Sequence, residues 1–141
     1  MSLNYYRTLI AVADDCRATR GTVPAAAGGR KTVAVLQYEL IAGAPFRLTQ
    51  EDVLFESWLA RQDAPGELSG EERGRLRREF FARPRACLRS SPLPKTYGWG
   101  LLFDEHGRVG LCPMESEEYR RLAAGEDPEV KVLKAFRSRR A

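Results

Sequence analysis

The sequence predicts an α+β domain: a small, mainly antiparallel sheet of about four strands, with about four helices packed on one face. Three observations carry this expectation. Two stretches read as helix starts, each a hydroxyl residue answered by an acid three positions on: Thr49 with Asp52, and Ser69 with Glu72. A glycine- and aromatic-rich run from Tyr97 to Cys112 reads as a hairpin. Residues 5–13 and 130–136 alternate apolar and polar side chains as strands do.

In chain order, residues 5–13 place Tyr6, Thr8, Ile10 and Val12 on one strand face, and Asp14-Asp15 stop the strand. Residues 16–31 hold Gly21, Pro24, an alanine run and Gly28-Gly29, and read as a long loop, mobile in its second half. That loop carries Arg17, Arg20, Arg30 and Lys31. Segment 32–42 fits a strand or a helix. The helix start that follows at Thr49 favours a helix, forming a helical hairpin with residues 49–61. There Leu48 staples onto Val53, while Leu54, Phe55, Trp58 and Leu59 turn inward. Pro65-Gly66 end this unit.

A helix over residues 70–81 presents Leu76, Phe80 and Phe81 to the core and leaves Arg73, Arg75, Arg77 and Arg78 in solvent. Pro84 closes it. Pro92 and Pro94 hold Ser90 to Lys95 extended. Strands at 97–104 and 108–112 then turn at Glu105-His106-Gly107. Ser116 caps a helix reaching about residue 124, with Tyr119 and Leu122 inward and Gly125 at its end. A last strand at 130–136 runs into a basic tail at 137–141. Trp58, Phe80, Trp99, Leu101 and Phe103 are expected to share one core.

Composition bounds the function classes. The 141 residues suit a single domain spanning 1–141, and 43% hydrophobic with 30% charged residues argues against wholesale disorder. Cys16, Cys87 and Cys112 are an odd number with no CxxC spacing, so three reduced thiols are expected and no disulfide framework. With His106 the only histidine, no metal site and no cofactor are expected. No run approaches the ~18 apolar residues of a membrane span, and the N-terminus lacks an apolar signal core. A cytoplasmic protein without membrane attachment is therefore expected.

Several blocks together resemble a family of short uncharacterised bacterial proteins: TVAVLQYELI (32–41), TQEDVLFE (49–56), CLRSSPLPKTYGWG (87–100), ESEEY (115–119) and KAFRSRRA (134–141). The resemblance covers nearly the whole chain. It implies a single cytoplasmic bacterial domain of unknown function, and it transfers no catalytic role to any residue.

The residues themselves name no reaction. His106 falls at a hairpin tip, where solvation defeats the tuning a general base needs. Helix starts account for Asp52, Glu115, Glu117 and Glu118. Gly28-Gly29-Arg30-Lys31-Thr32 fails the phosphate-loop spacing, and Gly98-Trp99-Gly100 lacks the third glycine of a dinucleotide fingerprint.

What remains is Arg89, Ser90, Ser91, Lys95, Tyr97 and Trp99: two cations, two hydroxyls and two aromatics within eleven residues. These are the materials of a pocket for a small anionic ligand, or of a protein-partner surface. Packing is the competing use, with Trp99 and Tyr97 as core and the cations as surface. The leading expectation is a non-enzymatic binding module at segment 87–100. The alternatives are an enzyme on a small anionic substrate using Lys95 or Cys87, and a nucleic-acid-associated protein working through its tail. The net charge of +4 includes Lys131, Lys134, Arg137, Arg139 and Arg140 near the C-terminus. Five phosphate contacts would give a salt slope of about −4.5, weak at cellular salt. A solvated tail, or one bridging a homodimer, is expected ahead of a nucleic-acid arm.

Overall fold

Each α-helix among the described residues begins where a side chain can replace the missing backbone acceptor. The computed structural model describes residues 4–26, 28–62 and 68–138. Thr32 caps α1 (Val33–Gly43), so segment 32–42 resolves as helix. Thr49 caps α2 (Gln50–Leu59) with a complete capping box: its hydroxyl accepts from the Asp52 N–H, and the Asp52 carboxylate accepts from the Thr49 N–H. Ser69 caps α3 (Gly70–Phe81), and Ser116 caps α5 (Glu117–Ala123). Leu48 packs against the core cluster that holds Val53, where the staple pattern put it. Pro65 and Gly66, read as the end of the α2 unit, lie outside the described residues.

One helix was misread. Ser90 to Lys95 is not extended. A 3-10 turn at Leu88–Ser90 leads into α4 (Pro92–Thr96), capped by the Ser91 hydroxyl accepting from the Leu93 N–H at 3.2 Å. Both prolines fall in the first helical turn, where N–H groups have no intrahelical partner and a missing donor costs nothing. Only Ser91, the residue before Pro92, keeps the extended backbone that proline imposes.

The sheet has four strands: β1 (Thr8–Ala11), β2 (Trp99–Phe103), β3 (Val109–Pro113) and β4 (Lys131–Lys134), in the order β3-β2-β1-β4. The β1–β2 and β2–β3 pairings are antiparallel and the β1–β4 pairing is parallel. The protein is therefore an α+β fold with a mixed, mostly antiparallel sheet. Gly107 turns the β2–β3 hairpin at a φ of +79°, a left-handed conformation that a Cβ disfavours.

Because β1 is central, all four of its residues are buried, and neither face is polar as a one-sided strand would require. Ile10 belongs to the larger core, with Leu101, Phe103 and Val109 from the sheet and Ile41, Val53 and Leu93 from α1, α2 and α4. Leu9 and Ala11 point the other way, to a smaller core with Cys112 and Leu122. Helix α5 thus covers the face that was expected to stay bare. Trp99 packs against the larger core, whereas Trp58 and Phe80 form a separate aromatic group with Phe55, ring centroids 5.1–5.9 Å apart.

The arginines of α3 divide by face. Arg77 pairs with Asp52 at 3.0 Å and Arg73 pairs with Glu56, so two of the four residues read as solvated stitch α3 to α2. Both guanidiniums also lie over the Phe55 ring, Arg73 at 5.9 Å and Arg77 at 5.6 Å. The sheet edges are covered too. The Phe46 N–H donates to Val109 O at 3.0 Å, and the Val109 N–H donates to Leu48 O at 2.8 Å, so residues 46–49 pair with the start of β3. At the opposite edge, Arg89 Nε donates to Lys134 O at 2.7 Å.

Candidate functional site

Segment 87–100 is held from beneath by two buried glutamines. The Ser91 hydroxyl donates to Gln37 Oε1 on α1 at 2.6 Å, and the Leu88 N–H donates to Gln50 Oε1 on α2 at 2.8 Å. Gln37 is 4% exposed and Gln50 0%, so each bond forms where an unpaired polar group would be costly. From above, the loop after β1 lies along the same segment. The Ala13 N–H donates to Pro94 O at 3.0 Å, and the Thr22 N–H donates to Tyr97 O at 2.8 Å.

Trp99 fastens that loop. Its indole Nε1–H donates to Thr22 O at 2.9 Å, and its ring packs on Gly21 and against Tyr38. Gly98 has a φ of +76°, and a Cβ there would stand 2.5 Å from Arg20 O, so the loop backbone needs the space a glycine leaves. Farther along, the Gly21 N–H donates to the Glu115 carboxylate at 2.8 Å, a bond that lowers this carboxyl's pKa.

The six sequence-predicted residues therefore separate. Ser91 is buried and caps α4. Trp99 is half-buried and pins the loop. Arg89 turns away to Lys134 O and stacks 4.4 Å over the Phe136 ring, its backbone oxygen accepting from the Phe136 N–H. Ser90 sits in the 3-10 turn, its N–H bonded to Cys87 O at 2.9 Å. Tyr97 is half-buried at the end of α4. Lys95 alone opens onto a cleft.

That cleft, of about 370 Å³, is lined by Asp15, Arg17, Lys95, Thr96 and Ser138. Three distant stretches of chain build it: the loop after β1, the end of α4 and the segment after β4. The Ser138 N–H donates to Asp15 Oδ2 at 2.9 Å, closing one wall. Neither Arg17 nor Lys95 forms an ion pair among the described residues. The neighbouring cations are committed elsewhere: Lys134 pairs with Asp14, and Arg137 lies 3.6 Å from the same carboxylate. The hydrogen bond from Lys134, first, and the charges of both cations hold the Asp14 carboxyl below its usual range. Sequence reasoning reached Lys95 and noted Arg17 in its loop, but Asp15, Thr96 and Ser138 become neighbours only through the fold. Arg139 and Arg140 of the basic tail lie outside the described residues.

The other candidates resolve as structure. His106 stands in the hairpin turn with its side chain 66% exposed. Cys87 Sγ accepts from the Tyr5 hydroxyl at 3.4 Å, and burial, then that bond, pushes the Tyr5 pKa up to about 12. Cys112 is buried in the smaller core, where burial and the Glu118 charge push its thiol up to about 11. All three cysteines are free thiols. Cys112 is thus expected to resist alkylation in the native protein at about pH 8, because the thiolate is the nucleophile. A thiol titration of unfolded protein without reductant is expected to recover three, and recovery of one would reveal a disulfide.

No helix of the described residues is long and apolar enough to cross a membrane. Residues 1–141 match the model of a family described as a family of unknown function (DUF6157). No curated protein and no solved structure matches the chain.

Proposed function

The chain belongs to this family of unknown function, a membership that brings no reaction with it, and we propose that the protein is a binding module for a small anionic ligand. The ligand sits where segment 87–100 meets the loop after β1, in the cleft of Arg17 and Lys95. One observation carries this reading: two cations that form no ion pair among the described residues share one concave space with a single carboxylate, Asp15, which accepts from the Ser138 N–H. A volume of about 370 Å³ is within the roughly 300–1,000 Å³ of small-molecule sites. Asp15 is turned to the Ser138 backbone, and Thr96 and Ser138 add hydroxyls at the rim. A carboxylate or phosphate would accept from all four donors.

The chemistry favours binding over a reaction. The group bonded to Cys87 is a tyrosine that holds its proton to about pH 12, a donor and not a base. Lys95 stands half-buried in an open cleft, without the enclosing apolar pocket that activates a lysine nucleophile.

Lys95→Met and Arg17→Met are expected to leave the unfolding midpoint of the free protein nearly unchanged, since neither forms an ion pair among the described residues and even a surface ion pair contributes only ~0–1 kcal/mol. Each should lose the thermal up-shift that wild type gains from inorganic phosphate or citrate, because a charge-assisted bond to a bound anion contributes ~1.5–3 kcal/mol. Arg89→Met is expected to behave oppositely, lowering the midpoint without ligand through its lost bond to Lys134 O and its stacking on Phe136. If no anion in a broad screen of carboxylates and phosphates raises the wild-type melting temperature, the reading fails.

A further inference from the structure

A second cleft, independent of the Arg17–Lys95 site, opens between α1, α2 and α3. It encloses about 410 Å³, and Val33, Leu54, Trp58 and Phe80 form its apolar wall. Over its mouth stand Arg30 and Arg61, which it shares with an adjoining cleft of about 390 Å³ that also holds Lys31 and Thr32. We propose that this pair of clefts is a binding site for a small amphipathic anion, with a planar apolar body against Trp58 and Phe80 and an acid head on Arg30 and Arg61.

Three features point the same way. The wall is aromatic: Trp58 lies tilted against Phe80 and Phe55, and Phe80 meets Phe55 edge-on. A flat ring on the half-buried Trp58 would join this group through the tilted or edge-on contacts its members already make. The charges are also spare. Arg73 and Arg77, on the same helical layer, are spent on Glu56 and Asp52, and Lys31 on Glu39. Arg30 and Arg61 form no ion pair among the described residues.

The third feature is Gln37, which lines the cleft at 4% exposure. The Ser91 hydroxyl occupies its Oε1. Its amide nitrogen bonds to no described residue and is not sealed off from solvent, so it can donate into the space that Gln37 lines. A ligand with an acceptor at the end opposite its acid would satisfy it. Apolar wall, cationic mouth and amide donor together fit a ring acid with a polar far edge, such as a hydroxylated aromatic carboxylate.

The test uses 6-hydroxy-2-naphthoate, 2-naphthoate and 2-naphthol, titrated calorimetrically into the full-length protein. The hydroxy acid is expected to bind saturably, and 2-naphthol, lacking the acid, about tenfold more weakly or worse. Arg61→Met, on an exposed residue at the end of α2, should weaken the hydroxy acid about tenfold and leave 2-naphthol unchanged. Arg30→Met repeats the measurement from the other side of the mouth. Lys95→Met should remove at most the binding of carboxylates at the Arg17–Lys95 cleft and leave the Arg61-dependent binding in place, so failure here is separable from failure of the Arg17–Lys95 reading. Absence of saturable binding at about 1 mM, equal affinity for acid and alcohol, or full affinity in both arginine variants overturns the proposal.

Discussion

Phe103→Ala is expected to remove ~3–5 kcal/mol of stability, against the ~5–15 kcal/mol that holds a typical domain together. Phe103 is 1% exposed, pairs with Thr8 across β1–β2 and with Val109 across β2–β3, and meets the Tyr5 ring edge-on at 5.6 Å. Its ring is thus enclosed by strands on both sides and by a second aromatic. Those neighbours are backbone-anchored, so a cavity there cannot collapse cheaply. Urea denaturation is the measurement. A soluble variant with an unchanged midpoint would show that the hairpin does not carry the larger core.

Ser91→Ala is expected to cost ~1.5–5 kcal/mol, the sum of two losses at one hydroxyl. It removes the N-cap of α4, typically ~0.5–2 kcal/mol. It also strands the 4%-exposed Gln37 acceptor, ~1–3 kcal/mol. The contrast with Lys95→Met, four residues along, is the informative part: one side chain belongs to the fold and the other to the cleft. A Ser91→Ala midpoint equal to wild type would mean that the Gln37 bond does not tie α1 to this segment.

Much of the architecture could be read before folding, because it is written in local chemistry. The Thr49, Ser69 and Ser116 caps are short-range hydrogen bonds, and each helix starts where its cap predicts. The hairpin is legible for the same reason, through the glycine at its turn. What local pattern misjudged was position. Pro92 and Pro94 break a helix interior but open a helix at its first turn, and nothing local distinguishes the two until Ser91 is recognised as a cap. Alternation in residues 5–13 suggested one buried face, whereas a central strand buries both. The parallel pairing of β4 with β1 joins residues more than a hundred apart, beyond any local signal.

The candidate site divides along the same line. Segment 87–100 was recognisable as a place where cations, hydroxyls and aromatics gather, but residue types do not reveal which way each side chain turns. Ser91, Trp99 and Arg89 are bound into the fold by Gln37, Thr22 and Lys134. Lys95 faces open space, and its companions Arg17 and Ser138 come from stretches 78 and 43 residues away in sequence.

The cover on the two sheet edges has a consequence for crowded solutions. An exposed strand edge is a template on which another chain can add itself, the first step towards aggregation. On β3 the Val109 donor and acceptor are already taken by Leu48 and Phe46, and Pro113 has no N–H to offer. Alternation leaves only Leu111 facing outward with its backbone open. On β4, Arg89 occupies the Lys134 carbonyl, lysines flank the strand at both ends, and Val132 is the corresponding residue. Leu111 on one side, and Val132 with the Lys134 N–H on the other, are too little backbone to recruit a foreign strand. The sheet is closed to growth, and any gathering of copies has to proceed through side-chain faces.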